Sequence, residues 1–255
     1  SLAGDISPDG KTVLFTEGGE GGGPSYSVYM RGMDDSPAIR LGDGGGLAFS
    51  PDGKWILSGD PHKIPVQLVL LPTGAGEPRQ LTHESTSFRL AGWFPDGKSI
   101  VMTGSEKGHG PRVYAMRLGE EKPRALTPEG FAALNHPISP DGRQILVREV
   151  STRKWSLLPV GGGEARIVPG TEDTDSPIQW AGDGKSLYVA QYGNPAKIFL
   201  LNIASGKREL WKVLTPSDPS GVAGIGPIHI TPDGKSYVYS LYRDISDLYL
   251  VDGLK

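Results

Sequence analysis

The chain has 255 residues, no cysteine and a net charge of −3 that is spread evenly along its length. These features exclude disulfides and thiol chemistry, and they predict no basic surface for nucleic acid. No run of 18 apolar residues occurs, so the sequence predicts no membrane span. Glycine (37 residues) and proline (22 residues) are abundant, and they recur at regular positions, which indicates a fold with many ordered turns.

One motif, a version of Ser-Pro-Asp-Gly-Lys, recurs six times. The second residue of the motif is Pro8, Pro51, Pro95, Pro140, Gly182 or Pro232 in the successive repeats. These residues are 43, 44, 45, 42 and 50 positions apart. A period of about 40–50 residues indicates a repeat architecture. Proline presets the first central position of a type I turn, and glycine takes the positive φ that follows, so each motif predicts a hairpin turn between two antiparallel strands.

Strand-like runs stand at fixed offsets from the motif. Short apolar stretches precede it, as at 47–49, 92–94, 178–180 and 228–230. β-branched and aromatic runs follow it at 13–15, 55–57, 100–102, 145–147, 187–189 and 237–239. A third run occupies 26–30, 67–71, 112–116, 154–158, 197–201 and 247–251. A fourth, more polar run closes five of the six repeats at 38–41, 79–82, 124–127, 165–168 and 208–211.

Four antiparallel strands per repeat predict an all-β fold, a six-bladed β-propeller that forms a single domain over residues 1–255. The predicted blades span approximately 1–43, 44–84, 88–130, 134–170, 175–215 and 225–255. The count gives 23 strands, because the sixth blade lacks its outer strand within this chain. We therefore expect the chain to be a fragment of a longer protein. The glycine-rich segments 18–23 and 42–46 are predicted to be long inter-strand loops.

Connections between one blade's outer strand and the next blade's inner strand gather at one face of a propeller, around its channel. Loops on a rigid scaffold are where function concentrates. These connections nominate ligand-binding candidates, which are His83, Glu84, Arg89, Asn135, His136, Glu172, Asp173, Asp175 and Asp218. A protein or peptide is the expected partner, and the isolated domain is expected to be monomeric.

The acidic group Glu172, Asp173 and Asp175 is the densest set of oxygen ligands in the sequence. A calcium-like ion would suit such oxygens, but the segment lacks the Asp-x-Asp-x-Asp-Gly order, so an exposed loop remains the alternative. No two histidines have metal-ligand spacing. We expect no cofactor and no resident metal, with the acidic group as the single metal candidate.

Catalytic signatures are missing from the sequence. No Gly-x-Ser-x-Gly elbow occurs, and there is no His-Arg-Asp or Asp-Phe-Gly of a protein kinase. His62, His83, His109, His136 and His229 read as loop residues or as side chains bonded to nearby backbone. The chain is therefore expected not to be an enzyme by itself.

The repeat unit, closed by Arg-x-Leu-Thr at 79–82 and 124–127, resembles the WD40-like PD40 repeat of TolB-type propellers. That resemblance covers the whole chain and implies six blades. The segment 246–255 is similar to the ending of bacterial multidomain proteins in which such a propeller follows a serine/threonine protein kinase or a winged-helix regulator.

The resemblance implies a non-catalytic sensor or interaction domain of a bacterial signalling protein. Two alternatives remain open at this point. One is a periplasmic TolB-like interaction scaffold, and the other is the gating propeller of a prolyl-oligopeptidase-like hydrolase. A periplasmic or extracytoplasmic location is favoured over a cytoplasmic one.

Overall fold

The structure is a computed structural model that describes residues 1–22 and 25–244, in which the regular elements are strands and one 3₁₀ turn at Gly19–Gly22. The first sheet contains β1 (Leu2–Ile6), β2 (Thr12–Glu17), β3 (Ser27–Gly32) and β4 (Ile39–Asp43). The second contains β5 (Gly45–Phe49), β6 (Trp55–Gly59), β7 (Leu68–Pro72) and β8 (Arg79–Gln80). The third contains β9 (Ser87–Trp93), β10 (Ser99–Ser105), β11 (Arg112–Arg117) and β12 (Arg124–Ala125).

The fourth sheet contains β13 (Phe131–Ala132), β14 (Gln144–Glu149), β15 (Trp155–Pro159) and β16 (Arg166–Ile167). The fifth contains β17 (Asp175–Trp180), β18 (Ser186–Gln191), β19 (Ala196–Asn202) and β20 (Arg208–Leu214). A last sheet pairs β21 (Val222–Ile230) with β22 (Tyr237–Arg243). Every pairing between strands is antiparallel and joins neighbours in the sequence, as expected for a propeller.

The structure shows five four-stranded blades rather than the six predicted. The sixth repeat contributes two strands within the described residues, and its predicted third strand, 247–251, lies outside them. The strand positions of the other five repeats are confirmed, although β8, β12 and β16 are only two residues long. The fourth blade also begins earlier than expected, because Phe131–Ala132 pairs with β14 inside a segment predicted to be a loop.

The repeated motif forms the predicted hairpin turn, and its side chains explain why. In the second blade, Ser50 Oγ donates to Asp52 Oδ1 (2.6 Å) and accepts from the backbone N–H of Trp55 (3.0 Å). Gly53 has a φ of 70°, which is the left-handed conformation that glycine adopts without strain. The same serine or threonine to aspartate bond recurs in three more repeats, at Ser7–Asp9, Ser139–Asp141 and Thr231–Asp233.

Two repeats lack this hydroxyl and replace it from the other side of the turn. Phe94 and Ala181 stand where the other repeats have serine or threonine. There the serine three residues after the aspartate donates to its Oδ2, as Ser99 does to Asp96 (3.3 Å) and Ser186 does to Asp183 (3.0 Å). Each of the six turns therefore keeps a hydroxyl bonded to its aspartate.

The glycine run 42–46 was predicted to be a long loop, and this prediction is wrong. Gly42 lies in β4, which ends at Asp43, and Gly45 is the first residue of β5. The connection between the two blades is therefore the single residue Gly44, with a φ of 100°. A Cβ on Gly46 would lie 2.9 Å from the side chain of Leu14. Glycine is needed here because neighbouring blades approach too closely for a side chain.

The hydrophobic core lies between the blades. Five apolar clusters each join two neighbouring sheets, so burial stabilises the ring rather than any single blade. The ring closes where β1 packs on β21 and β22, with the buried Ala3 N–H donating to Ser240 Oγ at 2.8 Å. Within the two described ranges, no helix has the length and hydropathy required to cross a bilayer.

Candidate functional site

A funnel opens along the propeller axis at the end that carries the hairpin turns. Its wall contains the residue two places before the second motif residue of each repeat, and these residues are Ile6, Phe49, Trp93, Ile138, Trp180 and Ile230. Its rim contains the second motif residue itself, namely Pro8, Pro51, Pro95, Pro140, Gly182 and Pro232. The repeat therefore builds a site with one wall residue and one rim residue from each of its six units.

The funnel encloses about 320 Å³ and is mainly apolar. Its wall residues are buried in the protein, whereas the rim prolines are exposed. The indole N–H of Trp93 is buried and has no hydrogen-bond partner in the described protein, while the indole N–H of Trp180 donates to the Pro137 carbonyl at 3.1 Å. A shallow apolar cavity with few polar groups suits an uncharged ligand segment.

Asp5 and His136 lie at the floor of this funnel, and His229 lies beside them. The Asp5 carboxylate Oδ1 is 2.9 Å from His136 Nε2 and 3.9 Å from His229 Nδ1. Asp5 also accepts the backbone N–H of Ile6 at Oδ1 and that of Phe49 at Oδ2, both at 2.8 Å. The first, second, fourth and sixth repeats therefore meet at one carboxylate.

The protonation of this group follows from its surroundings. Burial would raise the pKa of Asp5, but the charge and hydrogen bond of His136 outweigh it and hold that pKa below its usual value. Burial opposes the charged form of His136, yet the Asp5 carboxylate raises the pKa of this imidazole overall. Burial lowers the pKa of His229. The surroundings thus favour the charged forms of Asp5 and His136 together, and they favour the neutral form of His229.

Most of the residues nominated from the sequence lie at the other end of the inner strands from the funnel. His83 and Arg89 are exposed. Glu84 is held through its backbone, which exchanges two 3.0 Å hydrogen bonds with the side chain of Gln67. Asn135 is half-buried with its Oδ1 unpartnered, and His136 is the nominated residue that reaches the funnel.

An arginine pairs with two of the three residues of the nominated acidic group. The Arg208 guanidinium binds Asp175 through two hydrogen bonds of 2.8 and 3.0 Å and contacts Glu172 at 3.0 Å, while Asp173 is exposed. Among the described residues, this acidic group forms no cluster with metal-ligand geometry, whereas Asp5, His136 and His229 do. Arg208 thus occupies the space that a cation would take.

Asp218, the last nominated residue, pairs with Arg243 at 2.9 Å. Hydrogen bonds from the Arg243 guanidinium and from the Ser220 backbone lower the pKa of Asp218 to about 2. Asp218 and the acidic group near Asp175 therefore bind arginines of their own blades, and these pairs do not converge on one shared site.

The sequence analysis missed Asp5, His229 and both rings of the funnel. A signal was present in the repeats themselves. Asp5, Gln179 and His229 each stand three places before the second motif residue of their repeat, in an apolar inner strand. Polar residues at one repeat position inside such strands indicate the propeller axis.

Comparison with known proteins defines the fold. No protein-family model matches the chain. It superimposes on a putative TolB of Agrobacterium tumefaciens with a TM-score of 0.69 and 21% identity, over 95% of this chain and 90% of that one. The TolB of Acinetobacter baumannii gives a TM-score of 0.68 and 16% identity, over 94% of this chain and 65% of that one. The chain has a TolB-like β-propeller fold.

One curated relative carries a different description. The chain is 30% identical over 157 residues to the uncharacterized peptidase YuxL of Bacillus subtilis (strain 168), which covers 58% of this chain and 21% of YuxL. The TolB-like propeller thus spans only about a fifth of this relative's length.

Proposed function

We propose that this TolB-like propeller is a non-catalytic binding module that takes an apolar or proline-containing peptide segment of a protein partner into its axial funnel. The observation that supports this proposal is the double ring of wall and rim residues. Prolines and tryptophans surround a cavity of about 320 Å³, which lies within the usual range for ligand pockets. Aromatic-lined surfaces bind proline-rich segments because these segments are already extended.

The polar contacts of the histidines support a non-catalytic role. In the ranges that the structure describes, histidine side chains pair with Asp5, Glu129 and the Ala3 carbonyl. A Ser-His-Asp triad requires a serine hydroxyl on the imidazole, and none of these bonds supplies one.

We place this module in a larger bacterial signalling protein, as the sensor or interaction domain of a serine/threonine kinase or a winged-helix regulator. We further propose that the propeller of the whole protein has six blades and an extracytoplasmic location. A free periplasmic TolB-like scaffold is the alternative within the same binding function.

The match to YuxL favours a second candidate, a propeller that serves a peptidase. A gating propeller would have to pass peptides along its axis. The Asp5 carboxylate and His136 occupy the floor of the funnel, with His229 beside them, which argues against such passage and supports the first proposal.

The test is a peptide-binding screen on the full 255-residue chain. A library of proline-containing and apolar peptides is screened for binding to this chain. The affinities of the best binders are then measured for the variants Gln179→Arg and Pro140→Arg, since both residues line the funnel. The control combines His83→Ala, Arg89→Ala and Asp218→Ala at the other end of the inner strands.

We expect the funnel variants to weaken binding by about tenfold or more, the scale of a lost contact worth about 1.4 kcal/mol, and the control to bind normally. Loss of binding in the control alone would show that the peptide binds at the connections between blades and not in the funnel. Cleavage of the bound peptides would overturn the non-catalytic assignment.

A further inference from the structure

We propose that Asp5, His136 and His229 form a binding site for a divalent transition metal ion, such as Zn²⁺, at the floor of the funnel. Two imidazole nitrogens and a carboxylate are a common zinc donor set, with a further position left open for water or a ligand. The three ligand atoms all lie within 4.8 Å of one another. The proposal does not depend on the peptide-binding role of the funnel.

The hydrogen bond of His229 determines which nitrogen is free. His229 Nε2 lies 3.2 Å from the Ala3 carbonyl oxygen, which can only accept, so Nε2 carries the proton. Nδ1 is then left with a lone pair, 3.9 Å from the Asp5 carboxylate. Two electron-rich atoms facing each other in a buried place favour a cation between them. Metal-bound histidines commonly donate their second N–H to a backbone carbonyl in this way.

The spacing also fits an ion. Bonds of about 2.0–2.1 Å in a tetrahedral zinc site place the ligand atoms about 3.3 Å apart. The observed separations of Asp5 Oδ1 from His136 Nε2 and His229 Nδ1 are 2.9 and 3.9 Å, so these two distances bracket the required value. The ion would replace the proton that His136 otherwise shares with Asp5, and His136 would then bind as a neutral imidazole.

The protein holds these ligands in place before any ion arrives. The Ile6 and Phe49 N–H groups orient the Asp5 carboxylate. His136 has a φ of 53°, a left-handed backbone that is uncommon for a residue with a side chain and that the surrounding structure must hold. Asp5 and His136 also line the funnel, which gives an ion a route in and an open coordination position directed at any occupant.

The experiment measures metal binding by the chelator-treated 255-residue chain, without peptide. Zn²⁺ is titrated by calorimetry in competition with a chelator, and bound metal is counted by elemental analysis, with Mg²⁺ as the hard-ion control. The test variants are His136→Asn, whose asparagine tolerates the left-handed backbone, and His229→Gln. The matched control is His109→Gln, since His109 and Glu129 form an exposed pair at 2.9 Å that could bind zinc adventitiously.

We expect one Zn²⁺ per chain, a higher melting temperature with zinc, and no comparable response to Mg²⁺. His136→Asn should weaken binding by about 100-fold or more, the upper end of the cost of losing even an outer-shell partner, with His109→Gln unchanged. Zinc that still binds to His136→Asn, that is lost in His109→Gln, or that does not bind the unmodified chain would overturn the proposal. His229→Gln should also weaken zinc binding while its circular dichroism stays that of the unmodified chain, and unchanged zinc affinity in this variant would overturn the proposal.

Discussion

Replacing Arg208 with methionine should strongly destabilise the propeller, because it leaves the buried carboxylate of Asp175 without its cation. The Asp175 side chain is 0% exposed, and that of Arg208 is 16% exposed. The guanidinium makes two hydrogen bonds to the carboxylate, donates a third to the Gly170 carbonyl (3.3 Å) and lies 4.5 Å from the centre of the Phe199 ring. It ties the outer strand of the fifth blade to the start of its inner strand.

The loss of unfolding free energy depends on the hydrogen bonds that Asp175 retains in the variant. Removing one partner of a buried ion pair costs about 3–5 kcal/mol, because the remaining charge is left without compensation. Asp175 would still accept the Glu172 N–H (2.7 Å) and the Gln191 amide (3.2 Å). Methionine also restores part of the apolar contact with Phe199. We therefore expect the lower end of that range, about 3 kcal/mol.

The assay is urea unfolding of the unmodified chain, Arg208→Met, and the double variant Asp175→Asn with Arg208→Met. The double variant removes the stranded charge, so it should recover at least about 1 kcal/mol relative to the single variant. The control is Lys207→Ala, which breaks an exposed pair with Glu209, 72% and 64% exposed, and should leave the free energy of unfolding unchanged within error because solvent screens such a pair. A loss below about 1 kcal/mol for Arg208→Met at an unchanged m-value, or no recovery in the double variant, would refute this reasoning.

Three further changes test the turns and the ring closure by the same unfolding assay. Gly53→Ala should lower the free energy of unfolding by about 1–2 kcal/mol, because the φ of 70° is strained for alanine although a Cβ there meets nothing within 4 Å. Its control is Gly74→Ala, where a Cβ also meets nothing but φ is not positive, and this change should be neutral or stabilising by up to about 1 kcal/mol. Ser50→Ala should cost about 1–2 kcal/mol, since it removes two hydrogen bonds at a buried position, and a neutral result would show that the hydroxyl is dispensable. Ser240→Ala should cost about 1–3 kcal/mol by leaving the buried Ala3 N–H unpaired, and an unaffected midpoint would show that apolar packing alone closes the ring.

The sequence predicted the hairpin turns and the strands of five blades because their causes are local. A proline (Gly182 in the fifth repeat), an aspartate, a glycine and one hydroxyl within six residues determine each turn. The hydroxyl changes side in the repeats of Phe94 and Ala181 without changing the result. The prediction for 42–46 was wrong because the need for glycine there comes from contacts with a neighbouring blade. Gly46 is required by Leu14, and no rule based on neighbours in the chain contains that contact.

The candidate site required a different kind of reasoning from the one that found the turns. The acidic residues Glu172, Asp173 and Asp175 are close together in sequence, yet Arg208, 33 residues after Asp175, pairs with Asp175 and Glu172. Asp5 and His229 are separated by nearly the whole chain and were passed over, although each replaces an apolar residue at the same place in its repeat. In a closed ring, equivalent positions of the repeats converge on the axis, whatever their separation in sequence. The informative comparison is therefore between repeats, position by position, where a polar residue in an inner strand marks a side chain held at the axis.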